Sequence, residues 1–294
     1  MEKKDLIIGV FNNFEFEVLK PWIYSIKKTG FVGDVILVAV GAKEEVVREI
    51  VREGVQVICV NDNNNMRIHM LRFLYIYDYL RNHADKYRYV ISTDVRDVIF
   101  QKDPTQEMGA LLAHHHLIAQ SESIFIKDEE WNRDNIIKNF GEYFYQQVKN
   151  QEVYNVGILA GKAPYVKDLC FELFQWSLNR PDWVADQAAY NMILSSRAWS
   201  DITLKLNLHA GWAVNAHVTN KPDLKEKYGP FLLESRPYMD NLGTVRNAQG
   251  IEFTIVHQYD RVPEWMELYM LRFDFRITEK TNTGTAPKYF VYTT

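Results

Sequence analysis

Two carboxylates interrupt an otherwise apolar run, Tyr89-Val90-Ile91-Ser92-Thr93-Asp94-Val95-Arg96-Asp97-Val98-Ile99-Phe100. A charge inside a buried strand is costly unless it is paired or coordinates a cation, so Asp94 and Asp97 need a reason to be there. Carboxylate oxygens are hard ligands suited to magnesium or manganese. The pair therefore reads as a site that holds a divalent metal against a diphosphate. A local reading competes with it, in which the two acids end the strand, one capping the following turn and the other paired to Arg96.

Other residues offer chemistry with less definition. Arg67 and Arg72 lie near the start of a helical segment just before the acidic run, where one of them could reach a phosphate, although solvated arginines are the alternative. Val153 to Gly161 reads as a strand in which Asn155, Gly157 and Gly161 allow a ligand or another backbone to approach closely. The triplet His114-His115-His116 is not read as a metal site, because consecutive side chains diverge on a helix or a strand.

The elements that must position these residues follow from hydrophobic patterning. Leu6 to Phe11 is a continuous apolar run ending at Asn12-Asn13, which predicts a buried parallel strand with a polar loop at its carboxyl end. Ligands of open α/β sheets collect at such ends, so Val10, Phe11, Asn12 and Asn13, with the loop after Val60, are the expected nucleotide cradle. Pro21 opens a predicted helix that stops near Gly30. Strands are expected at 35–40 and 55–60 around a helix at 43–53, and a long helix at 66–82 precedes the acidic strand. Short strands are read at 117–119 and 124–126, helices at about 164–179 and from 182 onward. The alternation predicts an α/β fold, a mostly parallel Rossmann-like central sheet flanked by helices. It is read as one domain over 1–270, followed by a loosely packed tail over 271–294.

Bulk properties set bounds. The formal net charge of −4 supplies no general field for nucleic acid, so an anionic ligand needs a local constellation. Cys59 and Cys170 lie far apart in apolar contexts and read as buried free thiols, which fits a reducing, cytoplasmic location. The start of the chain is too short in apolar residues for a secretory segment or membrane span. Aromatic residues make up 14% of the chain, a weak hint of surfaces for sugar rings.

Four pieces in this order resemble the nucleotide-sugar-dependent glycosyltransferases of the GT-A fold, particularly glycogenin-like and bacterial lipopolysaccharide galactosyltransferase-like enzymes, over roughly Leu6 to Trp265. Asp94-Val95-Arg96-Asp97, followed by Val98-Ile99-Phe100 and Asp103-Pro104, is similar to the family's paired-aspartate motif, with a spacing of three rather than two. Asp97 is thereby the firmer metal ligand and Asp94 the softer. Asn155-Val156-Gly157 resembles the family's Asn-any-Gly strand, whose glycine implies a closely seated donor sugar. Asp186-Gln187 resembles the helix start beside the reacting sugar, and the strand ending at His257 resembles the one whose histidine is the third protein ligand of manganese. Relatives continue with a glycine and a lysine on the diphosphate, whereas here Gln258-Tyr259-Asp260-Arg261 follows, with Arg261 as the stand-in charge.

The resemblance implies a hexosyl- or pentosyltransferase that uses Mn2+ or Mg2+, a nucleoside-diphosphate sugar donor and a glycan or glycoconjugate hydroxyl as acceptor. It implies Asp186 and Gln187 as catalytic residues and, by analogy, retention of configuration; in an inverting enzyme Asp186 would be the base. Trp212 and His217 are expected on the acceptor side, with a core role the alternative for Trp212. A non-catalytic nucleotide-sugar or carbohydrate-binding protein of the same fold is the second reading. A dinucleotide-dependent oxidoreductase is disfavoured, because Gly9 is followed by Val10-Phe11-Asn12-Asn13 rather than by a Gly-x-Gly-x-x-Gly turn.

Overall fold

The computed structural model describes residues 3–61 and 67–274. The first half alternates: β1 (Lys4–Asn12), α1 (Phe16–Lys28), β2 (Asp34–Val40), α2 (Glu44–Arg52), β3 (Gln56–Val60), α3 (Ile68–His83) and β4 (Tyr87–Thr93). These four strands are mutually parallel in the order β3-β2-β1-β4. Side chains of β1, β2 and β4 are largely buried on both faces, as patterning requires of central parallel strands, whereas the edge strand β3 is only partly buried. Ile7 and Phe11 pack with Leu19, Trp22 and Ile23 of α1 and Ile50 of α2. Leu6 and Ile8 pack on the opposite face with Phe73, Ile76 and Leu80 of α3.

The chain then passes through β5 (Val98–Phe100), α4 (Met108–Leu111), β6 (Leu117–Phe125), α5 (Glu130–Phe140), α6 (Glu142–Val148), β7 (Glu152–Tyr154), β8 (Ile158–Lys162), α7 (Ala163–Ser177), α8 (Ala185–Ser195), α9 (Arg197–Ser200) and β9 (Thr203–Leu206). Strands β6 to β9 extend the sheet to eight strands, with β8 antiparallel to β4 and β6, β7 antiparallel to β6, and β9 parallel to β6. The sheet is therefore mixed, with its parallel character concentrated in the first half. The last part holds β10 (Ala213–Asn215), α10 (Ala216–Asn220), α11 (Pro222–Tyr228), β11 (Tyr238–Met239), β12 (Val245–Arg246), β13 (Ile255–His257) and α12 (Pro263–Phe273). Strands β10, β13 and β5 make a second, three-stranded sheet. Among the described residues no helix is long and apolar enough to cross a membrane.

Several expectations are corrected. The acidic run is two strands in two sheets, not one interrupted strand, and the carboxylates lie in the loop between them. Pro21 lies inside α1 rather than opening it; the helix begins at Phe16 and tolerates the loss of one backbone donor. The two short strands at 117–119 and 124–126 are one strand, β6, whose polar centre is buried. The single strand read over 153–161 is broken into β7 and β8 at Asn155–Gly157. Residues 271–273 belong to α12, with Phe273 buried against Tyr269, so they are not loose tail. The remainder of the tail and most of the polar loop after Val60 lie outside the described residues.

Candidate metal centre and its surroundings

Three chain reversals bring the site together. Thr93 at the end of β4 accepts a 2.8 Å hydrogen bond from the Trp22 indole, and the next residue, Asp94, donates its backbone N–H to the carbonyl of Gly157 (2.9 Å). Val95 packs into the gap left by Gly9 of β1, where an added Cβ would come within 2.2 Å of the valine. Asp97 precedes β5, which pairs antiparallel with β13 so that His257 lies opposite Val98. The backbone N–H of Gln258 closes the contact on the Asp97 carbonyl at 2.7 Å.

The result is a group of ligand atoms from Asp94, Asp97 and His257 lying within 4.8 Å of one another. His257 Nε2 is 3.5 Å from Asp94 Oδ2 and 3.7 Å from Asp97 Oδ1. Such a set could hold a divalent metal ion: two hard carboxylates and one imidazole, with separations that ligand atoms of one ion can adopt. The fit is supported by the histidine itself. His257 is 2% exposed, yet neither ring nitrogen has a hydrogen-bond partner, an expensive condition for a buried imidazole unless something else satisfies it.

Electrostatics keep the ligands in their binding forms. Burial lowers the pKa of His257, so the ring is neutral and can present a lone pair. Burial works against ionisation of Asp97 but is outweighed by the charges around it, His257 and then Arg96 and Arg261, which hold its carboxyl below the ordinary range. With His257 neutral at pH 7, that work falls to the two arginines. Arg96 lies 3.3 Å from Asp97 Oδ2, so the local pairing read from the sequence exists alongside the possible metal site.

Gly157 has a different role from the one expected. An added Cβ there would lie 2.4 Å from His257 Cε1 and 2.9 Å from Nε2, so the space beside it is taken by the imidazole, not left for a sugar. Asn155 folds its own loop, accepting from Gly157 N (2.8 Å) and donating to Glu122 Oε1 (2.6 Å).

Arg72 is not a solvated arginine. It ion-pairs with Asp94 and, at 2.8 Å, with Asp186 Oδ2, tying α3 to α8 across the metal group. Asp186 is 1% exposed and its Oδ1 has no hydrogen-bond partner, so it stands beside the group through Arg72. Gln187 is held by structure: its oxygen accepts from Val156 N (3.0 Å), and its nitrogen donates to Asn132 Oδ1 and the Tyr154 carbonyl (both 3.1 Å). With all its hydrogen bonds turned inward, it is a brace of the 154–157 loop rather than a group free for substrate.

At the end of β1 the expected cradle is only partly surface. Phe11 is core, stacked on Phe14, which corrects its assignment to nucleotide binding, whereas Val10 and Asn12 are partly exposed and Asn13 is exposed. Asn13 turns the chain with φ 54° and donates to Asn12 Oδ1 at 3.0 Å. Arg67 lies at the surface over the ring of Trp183, 4.8 Å from its centre. Arg261 pairs with Asp260 at 3.4 Å. Trp212 is 1% exposed among Phe100, Ala213 and Ile255, so it cannot line an acceptor surface. His217 is partly buried; burial, then Lys221 and Arg261, push its imidazole down to about 4, so it is neutral and belongs to the neighbourhood of Arg261. His116, from the histidine triplet, stacks on Tyr165 and contacts Lys162 instead of a metal.

The residue missed in sequence is Glu122. It lies 3% exposed in β6 beside Asn155, and burial pushes its carboxyl up to about 7. The signal was present, since a charge in an apolar strand is the same anomaly that singled out Asp94 and Asp97, but Gln120 to Ser123 fell between the two short strands read at 117–119 and 124–126. A cavity of about 720 Å3 between α11 and α12 contains none of these residues. Its Arg236 is bonded to the carbonyls of Thr219 and Lys225. The Asp94–Asp97–His257 cluster, where both ring nitrogens of His257 and the Oδ1 atoms of the nearby Asp186 and Asp260 are buried without a partner, is the better candidate.

Compared with protein-family models and with curated proteins, the chain matches none. What it does rests on the site.

Proposed function

We propose that this protein is a metal-dependent glycosyltransferase of GT-A architecture that moves a sugar from a nucleoside-diphosphate donor to a hydroxyl of a glycan or glycoconjugate. One observation carries the reading: two aspartates and a histidine from distant parts of the sequence converge at strand ends, with the buried imidazole lacking any hydrogen-bond partner. A mixed carboxylate and imidazole set favours manganese over magnesium. The bound ion would supply charge neutralisation for the departing diphosphate.

The chain's own residues then divide the work. Asp97 and His257 would hold the ion, joined by one oxygen of Asp94, while Arg72 engages the other side of the Asp94 carboxylate. Arg72 also fixes Asp186, the carboxylate that the family resemblance puts beside the reacting sugar. Asn12 and Asn13 at the end of β1 face the nucleotide, and Arg261 the phosphates. His217, neutral at physiological pH, faces the acceptor side.

The test is a panel of nucleotide sugars incubated with the protein, with and without Mn2+, monitored for free nucleoside diphosphate and for anomeric configuration of the product. Manganese-dependent release from one donor is the expected result. Saturable donor binding with no release across a range of hydroxyl acceptors would instead identify a binding protein. Absence of both Mn2+ and donor binding would overturn the proposal.

A further inference from the structure

The loop after β13 brings a second charge arrangement up to the edge of the metal group. Asp260 Oδ2 is ion-paired with Arg96 at 3.1 Å and accepts from Arg261 at 3.4 Å, while its Oδ1 is buried and has no hydrogen-bond partner. The same Arg96 guanidinium reaches Asp97 at 3.3 Å, so the two arginines stand at the edge of the metal group. Arg96 and Arg261 are about one third exposed, whereas Asp260 is 10% exposed. The cations are thus more exposed than the carboxylate between them. Two guanidiniums converging on one carboxylate reproduce the geometry with which arginines grip a phosphate.

The charge count points the same way. Asp94, Asp97, Asp186 and Asp260 against Arg72, Arg96 and Arg261 leave one net negative charge in this connected set. A divalent cation reverses that to one net positive charge. The set is then balanced by an anion next to the metal, and the guanidiniums of Arg96 and Arg261 are paired with carboxylates of the chain.

Resting on the donor reading above, we propose that Arg96 and Arg261 form a diphosphate clamp that Asp260 occupies in the free protein and yields when the diphosphate of a donor or product arrives. Asp260 is a built-in competitor: it keeps both arginines ordered and lowers affinity for the diphosphate. Apparent affinity is the intrinsic affinity multiplied by the fraction of molecules whose clamp is free. Such a device favours release of the nucleoside diphosphate after transfer.

The experiment uses inorganic pyrophosphate and Mn2+ with the full chain, read by titration calorimetry, with a melting curve for each variant. Asp260→Asn keeps the shape and removes the competing charge; it is expected to bind pyrophosphate in the presence of Mn2+ roughly tenfold more tightly, with Mn2+ affinity alone changed less than about twofold. Arg96→Gln is expected to weaken pyrophosphate binding by at least about tenfold. In the Arg96→Gln background the Asp260→Asn gain should disappear, because the competitor then has little left to compete for. Equal gains in both backgrounds, or weaker pyrophosphate binding by a folded Asp260→Asn protein, would overturn the clamp while leaving the donor reading intact. A confirmed clamp in a protein that turns over no nucleotide sugar would do the reverse.

Discussion

Gly157→Ala isolates the claim that His257 is a metal ligand, because it touches the ring without altering any ligand. The added methyl would lie 2.4 Å from Cε1, and ordinary contact begins near 3.4 Å, so the imidazole must retreat by about 1 Å or the 155–157 loop must move. The ring is 2% exposed. Metal–ligand distances tolerate only about 0.2 Å, so a displacement of this size removes the nitrogen from the ion. Mn2+ affinity should therefore fall by at least about 10–100-fold. Overpacking costs about 1–3 kcal/mol, and removing a glycine from the unfolded chain returns about 0.4–1 kcal/mol, so the net loss of stability is modest. Titration calorimetry with Mn2+ reads the first quantity and chemical denaturation the second. Gly109→Ala is the control: its Cβ meets nothing nearer than 3.7 Å, so Mn2+ affinity should be unchanged while stability rises by about 0.4–1 kcal/mol. Unaltered Mn2+ binding in a folded Gly157→Ala protein would refute the assignment of His257 and the site built on it.

Asp97→Asn should reduce Mn2+ affinity at least about 100-fold while preserving the fold, measured by calorimetry and circular dichroism, because Arg96 keeps Asp260 as a partner. Arg72→Met leaves the buried Asp186 carboxylate without its cation, and a loss of about 3–5 kcal/mol in denaturant unfolding is expected, relieved in part by adding Asp186→Asn. Glu122 holds its proton more tightly in the folded state, up to about 7 against 4.5, so folding binds protons in that window and stability falls as pH rises through it. The decline is on the order of 3 kcal/mol from pH 4.5 to 7. Glu122→Gln, which mimics the neutral carboxyl, should remove this part of the slope; an unchanged slope in urea melts between those pH values would contradict the buried, protonated Glu122.

Much of the first half of the fold was legible in the chain itself. Strands buried on both faces must be apolar without interruption, and amphipathic helices must repeat every three to four residues, so β1 to β4 and their helices are written in local pattern. The anomaly of charge among apolar neighbours marked Asp94 and Asp97 for the same reason. Local pattern failed where a long-range contact supplies what the segment lacks. Glu122 and its polar neighbours stay within a strand because partners such as Asn155 reach them from elsewhere, and the acidic run breaks because β5 leaves the main sheet to pair with β13.

The residue types available for a metal site could be read from one dimension, but not their roles around it. Gly157 is small to admit an imidazole from a strand a hundred residues away, Gln187 is consumed by a loop, and Arg72 joins two acids that sequence kept apart. Trp212 is core because neighbours from two sheets close over it. Hydrogen bonds and ion pairs reach only about 3 Å, so partners distant in the chain become known only when folding has set the strand registers that bring them into range.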